Sequence, residues 1–358
     1  MKQVRTTLAE VAAASGVSIA TVSKVLNDHT DVAETTRRRV QQALHDADYR
    51  APRRSSRRPE RVASTEPTIE VAFPEWQNAY EVAVLDGLTS AAEAEGYEVV
   101  IGPRVRGEQI DFDPQALRRS GRAGAIFVTV DASRDPIKAL SDTGFPVVVV
   151  DPVRVGRTQC VSIGATNFTG GVTAVEHLLS LGHRRIAHAA GPVSVECSHA
   201  RLAGYHSALR QAAIEVDDTL VTHSLFTYDG GRAVAARLLD RPDPPTAVFA
   251  ACDEIALGIV EEARRRSIRV PEDLSVIGFD DSFLASRSAP PLTTVAQPLL
   301  EMGRLAVRSL TQLIAGDVVA TRHLELATHL VVRDSTAPLG GSGGVGAQRG
   351  VRESVGRS

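Results

Sequence analysis

The chain is poor in several things that would place it quickly. It has three cysteines and one tryptophan in 358 residues, its only lysines are Lys2, Lys24 and Lys138, and it contains no run of about 18 apolar residues. The missing apolar run removes a membrane-spanning helix. Cys160, Cys197 and Cys252 are odd in number, widely spaced and form no C-x-x-C pair, which speaks against both a disulfide framework and a zinc site. They read as small buried hydrophobes. The amino terminus carries Glu10 inside its only apolar stretch and lacks the unbroken apolar core of a secretory signal, so the expected compartment is the cytoplasm. Catalytic fingerprints are missing as well: there is no G-x-G-x-x-G, P-loop, G-x-S-x-G or Cys/His nucleophile arrangement. Asp280-Asp281 are neighbours on one strand and point oppositely, with no third ligand at metal spacing, and Thr169-Gly170-Gly171 reads as a helix start. No enzyme activity, cofactor or metal is expected.

What is present is an uneven charge. Residues 1–61 hold 12 Lys and Arg against 7 Asp and Glu, whereas the remainder holds 28 against 36, so a basic head of +5 precedes an acidic body of -8. Within the head, Thr7 can cap a helix whose stripe is Leu8, Val11, Ala12 and Ser15, and Gly16 stops it. Ser18 is placed to cap a second helix with Val22, Val25 and Leu26 on its apolar side. A third stripe of Val40, Ala43, Leu44 and Ala47 follows the basic run Arg37-Arg38-Arg39. Helix, tight glycine turn and helix is a nucleic-acid-reading pattern, although three small helices also suit a protein-binding bundle.

From Ile69 onward the text alternates. Apolar runs at 69–73, 98–101, 125–130 and 147–150 read as buried strands separated by helices around 82–95, 114–119 and 137–141. Strands at 186–190, 246–250 and 275–279 then alternate with helices at 171–181, 200–212, 228–239 and 253–265. The fold class is therefore α/β, with parallel sheets covered on both faces in two lobes. Ligands of such folds bind beyond the carboxyl ends of the strands.

Specific wording carries a resemblance. Leu8-Ala9-Glu10-Val11-Ala12, Ser15-Gly16-Val17-Ser18, Thr21-Val22-Ser23-Lys24-Val25-Leu26-Asn27 and Thr36-Arg37-Arg38-Arg39-Val40 together resemble the helix-turn-helix head of the LacI/GalR family of bacterial transcription regulators. Val175-Glu176-His177-Leu178, Gly182-His183-Arg184-Arg185-Ile186, Arg201-Leu202-Ala203-Gly204-Tyr205, Asp253-Glu254-Ile255-Ala256-Leu257-Gly258, Val270 to Asp281 and Pro290 to Val295 are similar to that family's effector domain, whose core is like periplasmic sugar-binding proteins. The likeness covers roughly residues 3–335. It implies a two-lobed periplasmic-binding-protein-like core, a pseudo-palindromic double-stranded DNA operator, a sugar or oligosaccharide effector and a homodimer. The tail has no Leu heptads to build a tetramer.

The resemblance also assigns residues. Ile19, Ala20 and Lys24 face base edges, and Thr7, Ser18, Thr21, Ser23 and Asn27 lie near the backbone of the DNA. Ile19 and Ala20 offer no hydrogen bonds, which leaves Lys24 as the reader of a guanine. The pocket takes Asp151, Arg201, Phe226, Asp253 and Asp280, with Trp76 and Tyr80 as further aromatic faces for a sugar ring. The implied organisation is a reading head at 1–50, a basic linker at 51–67, an N-lobe of 68–165 plus 295–322, a C-lobe of 166–294 plus 323–335, and a disordered tail at 336–358.

Three departures stand out. The family's hinge helix, Pro-Asn-x-x-Ala-Arg-x-Leu, is replaced by Arg50-Ala51-Pro52-Arg53-Arg54-Ser55-Ser56-Arg57-Arg58-Pro59. Arg53, Arg54, Arg57 and Arg58 there either grip phosphates or belong to a solvated tether. Cys252 stands where members commonly carry Asn, and Thr166-Asn167 where they carry Asp. The wording Gly164 to Phe168 is similar to actinobacterial members that respond to oligosaccharides. Outside the regulator reading stand a pure sugar receptor, which the head speaks against, and an enzyme on a doubly wound fold.

Overall fold

A computed structural model describes residues 8–26, 32–46, 66–74, 78–102, 105–106, 109–110, 113–131, 135–154, 160–319 and 321–340. The chain divides into two compact units, Met1–Thr65 and Glu66–Ser358.

The first unit holds α1 (Leu8–Ser15), α2 (Ile19–Leu26) and α3 (Glu34–Asp46). Its core is small and aliphatic: Val11 and Ala12 of α1, Val22 and Val25 of α2, and Val40 and Ala43 of α3. Gly16 takes φ +61°, the left-handed conformation in which a β-carbon is costly, and so turns the chain tightly between α1 and α2. Ser18 then caps α2, its hydroxyl accepting from the Thr21 amide at 3.2 Å. The proposed cap Thr7, together with Ala47, lies outside the described residues.

The second unit begins with β1 (Thr68–Ala72), α4 (Ala79–Ala94), β2 (Glu98–Ile101), the short hairpin β3 (Val105–Arg106) and β4 (Gln109–Ile110), α5 (Pro114–Arg119), β5 (Arg122–Val128), α6 (Asp135–Asp142), β6 (Val147–Val150) and β7 (Val161–Ala165). Next come α7 (Asn167–Ser180), β8 (Ile186–Ala190), α8 (Glu196–Gln211), β9 (Val221–His223), α9 (Tyr228–Leu239), β10 (Ala247–Ala250), α10 (Asp253–Arg265), β11 (Ser275–Asp280), α11 (Phe283–Arg287) and β12 (Thr293–Ala296). The last elements are α12 (Leu299–Ala315), β13 (His323–Leu326) and β14 (His329–Val331).

Two six-stranded sheets result, in the orders β13-β7-β6-β5-β1-β2 and β14-β12-β11-β10-β8-β9. Neighbours within them run parallel except for β14, which is antiparallel to β12. Continuous burial of Val147 to Val150 and of Ala247 to Ala250 is what helices on both faces of a parallel sheet produce. The chain passes from the first sheet to the second after Ala165 and comes back after Ala296, because α12 packs in the first lobe's core with Val84 and Leu88 of α4. The final return differs from the expectation near His323. β13 pairs with β7 in the first sheet, so residues 323–326 belong to the first lobe and the crossing falls at 327–328.

Helices in both lobes pack through facing glycines. A β-carbon on Gly87 of α4 would overlap the Leu300 carbonyl oxygen, and one on Gly303 of α12 would overlap that of Val84. Gly171 and Gly204 play the same part between α7 and α8. Close backbone approach therefore accounts for the Thr169-Gly170-Gly171 wording, with α7 starting two residues earlier, at Asn167.

Candidate functional sites

In the first unit, α2 is a short amphipathic helix whose apolar side is consumed by the core through Val22 and Val25. Its other side presents Ile19, which is 51% exposed, and Lys24 in the last turn, also exposed. A large aliphatic side chain left half in water on the first turn of a capped helix contradicts a core role for Ile19. Thr21 is half-buried, and its hydroxyl lies 2.9 Å from that of Ser18. Thr7, Asn27, Arg53, Arg54, Arg57 and Arg58 lie outside the described residues, as do the side chains of Ala20 and Ser23.

In the second unit the site-bearing residues gather at the carboxyl ends of the two sheets. Asp151 directly follows β6 and Asp280 ends β11, each with a positive φ, +45° and +114°. Asp281 follows at +55°. Such values are rare for residues with a β-carbon and persist only where the surroundings impose them, which is typical of binding sites.

Arg201, buried in α8, stands beside Asp280 on the second-lobe side and is near enough to Asp151 for the two charges to influence each other. Its Nε donates to Asn167 Oδ1 at 2.9 Å and its Nη1 donates to the Ala251 carbonyl. Nη1 also stands 3.8 Å from Asp280 Oδ1, and the guanidinium lies 3.8 Å above the centre of the Phe279 ring. With Nε and Nη1 engaged, the fork is held in one orientation, and its charge is offset by Asp280 and Asp151. On the first-lobe side the Tyr80 hydroxyl donates to Asp151 Oδ2 at 2.5 Å. Tyr80 thus joins the site through its hydroxyl, where the sequence suggested its ring.

Asp253 departs from its expected role. It is fully buried at the start of α10, with Oδ2 accepting from the Ser282 amide at 2.7 Å and Oδ1 from the Thr294 hydroxyl at 2.7 Å. Both oxygens are used inside the second lobe, so Asp253 fixes the segment that follows Asp280 instead of facing a ligand. Phe226 is half-buried, its ring lying over Gly191 and packing on the second lobe's core. Trp76 lies outside the described residues.

Sequence reasoning passed over four neighbours. Gln297 donates from Nε2 to Asp280 Oδ1 at 2.6 Å. Glu254, at the second position of α10, accepts the Ala79 amide of the first lobe at 2.8 Å. A second link between the lobes runs from the Glu196 amide to the Val153 carbonyl at 3.0 Å. Cys197 sits close enough to Arg201, Asp151 and Asp280 to feel their charges. Only the Asn167 contact had a visible signal, as the residue beside the Thr166 departure; Thr166 itself pairs with Thr328 at 3.0 Å.

Burial dominates the electrostatics. It raises the pKa of Asp151 against the opposing Tyr80 hydrogen bond and the Arg201 charge. Asp280 is pushed well up by burial, with Arg201 opposing and Asp253 reinforcing. Asp253 is likewise raised by burial against the Thr294 and Ser282 bonds. Burial also pushes the Cys197 thiol up to about 11, so it is no nucleophile at neutral pH. Carboxyls, a fixed guanidinium and a tyrosine hydroxyl, shared between two sheet ends, can exchange hydrogen bonds with the hydroxyls of a small polar ligand. Among the described residues no helix is long and apolar enough to cross a membrane.

Comparisons with known proteins agree with both halves of this picture. The family model for bacterial regulatory proteins, lacI family, matches residues 7–51, and a periplasmic binding protein-like domain matches residues 175–336. The HTH-type transcriptional regulator DegA of Bacillus subtilis is 33% identical over 349 residues, covering 94% of this chain and 99% of its own. Among solved structures, a complex of the transcriptional regulator CelR with cellobiose superposes with a TM-score of 0.69 at 35% identity, covering 92% of this chain and all of that one. The lac repressor dimer bound to operator and an anti-inducer gives 0.67 at 28% identity, with coverage of 93% and 100%.

Proposed function

Because the chain belongs to the lacI family of bacterial regulatory proteins, it is a DNA-binding regulator of transcription, and we propose that a small sugar-like effector held between its two lobes controls its affinity for operator DNA. The observation that carries this reading is the junction of Asp151, Arg201 and Asp280 at facing sheet ends, with Tyr80 joined to it from the first lobe. The cellobiose complex of a relative of similar length supports a saccharide as the ligand class. Asp151, Arg201 and Asp280 receive the hydroxyls, and Phe226, half-buried over Gly191, offers an aromatic face. The protein acts as a repressor in the cytoplasm, performs no catalysis, and works as a dimer whose two reading heads take half-sites of a pseudo-palindromic operator. Effector binding favours one of two dimer arrangements because its affinity for them differs.

On the DNA side, α2 is the reading helix, with Lys24 directed to a guanine and Ile19 to thymine methyl groups. A sugar panel that includes cellobiose, read as the shift in melting temperature of the full chain, tests the effector. A ligand present at about 100 times its dissociation constant stabilises the native state by about 2.7 kcal/mol. One saccharide should raise the melting temperature of the wild type and leave Asp280→Ala unmoved. A panel without any shift, or an equal shift in the variant, would overturn the cleft assignment.

A further inference from the structure

Two hydrogen bonds join the lobes, and both use the same kind of donor. Ala79 is the first residue of α4, and its amide donates to Glu254 Oε1 at 2.8 Å. Glu196 is the first residue of α8, and its amide donates to the Val153 carbonyl at 3.0 Å. First-turn amides have no acceptor within their own helix, so each needs a partner elsewhere. α4 follows β1 and α8 follows β8, and these two strands hold the same place, fifth, in the orders of their sheets. Each lobe therefore offers the leading amide of its corresponding helix to an acceptor on the other lobe.

The acceptors differ in charge. Val153 contributes a neutral carbonyl, whereas Glu254 contributes a carboxylate, and a buried one. A carboxylate taken out of water is costly unless hydrogen bonds and positive charge meet it. Glu254 lies in the first turn of α10 and reaches the amino end of α4, so two helix ends place partial positive charge around it. A bond to an ionised acceptor is also stronger than one to a carbonyl. The contact adjoins the effector residues, because one oxygen of Glu254 lies within 4.8 Å of one of Asp280.

We infer that Glu254 is a positioning residue for the effector cleft: seated on the amino end of α4, its carboxylate clasps the second lobe against the first, and the bond between Glu196 and Val153 depends on that closure. The bearing on the ligand rests on the cleft being the effector site. Asp280 and Arg201 belong to the second lobe and Asp151 to the first, so closure sets how far apart the groups that receive one ligand stand. By linkage, whatever strengthens the clasp strengthens binding of a ligand held by both lobes, and the ligand strengthens the clasp in return.

Amide hydrogen exchange of the full chain, read without added sugar, tests the clasp. Glu254→Ala removes the acceptor, and Ala79→Pro removes the donor from the opposite lobe. Proline suits that place, because it is favoured at the first helical position and Asn78 before it is extended, with φ -128° and ψ 157°. Each variant should speed exchange of the Glu196 amide at least about tenfold, the effect of losing one hydrogen bond to a charged acceptor. The double variant should exchange no faster than the single ones, since both break the same bond. Val148 of β6 and Val248 of β10, buried in the two sheets, should keep their wild-type rates, which separates opening of the lobes from unfolding. If one variant fails to fold, the other decides. Unchanged exchange at Glu196, additive effects in the double variant, or acceleration shared equally by Val148 and Val248 overturns the clasp. A clasp that passes these tests in a chain whose melting temperature no saccharide shifts would fault the effector assignment instead.

Discussion

At the scale of single residues, Lys24 and His188 show how position decides what a side chain can do. Lys24 is an exposed cation on a helix whose opposite side is locked in a core, and cations of this kind read guanine edges in the major groove. Lys24→Ala should weaken binding to the operator by about 1–3 kcal/mol and leave binding to random DNA nearly unchanged; fluorescence anisotropy on both duplexes checks it, and equal losses on the two would remove the role. His188 is the reverse case, a titratable ring with no contact to solvent. It stacks on Phe249 with centroids 4.5 Å apart, its Nδ1 meets the Phe249 carbonyl at 2.9 Å, and its Nε2 has no partner. Burial lowers its pKa to about 3. The unfolded chain takes up that proton below about 6.5 while the native state refuses it, so the contribution is complete above about 6.5 and is lost as pH falls toward 3. Asp151 and Asp280 act in the opposite sense, because their raised pKa values let the native state bind protons first. The comparison is therefore differential: between pH 7 and 5, urea unfolding of His188→Gln should show a smaller loss of stability than the wild type. Parallel slopes would contradict the assignment.

Much of the residue-level site was legible in the sequence, and the exceptions have physical reasons. Asp151 and Asp280 fall at strand ends and Arg201 in the second turn of α8, whose start lies four residues before the expected 200, and topology brings such positions together. Asp253 occupies an equally suggestive position, but Ser282 and Thr294, 29 and 41 residues away, consume its oxygens, and no local pattern announces that. Glu254 and Gln297 were missed for the same reason, since their partners come from other segments.

At the scale of elements, long periodic stretches were readable and short edges were not. α10 and β11 appear almost at their expected limits. β13 and β14, by contrast, are edge strands of four and three residues with largely exposed side chains, and they leave little trace in hydropathy. That is why the last crossing between lobes was placed a few residues early. The paired glycines of the helix interfaces give the element scale its own test. Gly258 of α10 approaches α9 so closely that a β-carbon would overlap the Tyr228 carbonyl oxygen, and Gly231 faces Ile255 in the same way. Gly258→Ala should cost about 1–3 kcal/mol despite the better helix propensity of alanine, because backbone has to move to make room. Gly96 offers the control: its φ of +73° strains any side chain, but nothing lies within 4 Å of its β-carbon position. Urea midpoints would show the difference, and a stabilised Gly258→Ala would refute close packing as the reason for glycine there.

At the scale of the whole molecule, a basic reading head is joined in sequence to a body that buries Asp151, Arg201 and Asp280 near the ends of its two sheets. The two halves do different work. On the proposed reading, the head supplies affinity and base reading, and the body converts occupancy of a small polar site into a choice between states. This division requires that a variant of the cleft lose its response and keep its DNA affinity. The most direct measurement is the affinity of the full chain for the operator in its own upstream region, by anisotropy at one fixed salt concentration, with and without a saturating saccharide that shifts its melting temperature. The account predicts that the saccharide changes the operator affinity of the wild type at least about fivefold, the lower end of usual allosteric couplings, and that Asp280→Ala binds operator as the wild type does with no change on adding sugar. Unchanged operator affinity in the saccharide-bound wild type, or a full response in Asp280→Ala, would contradict it.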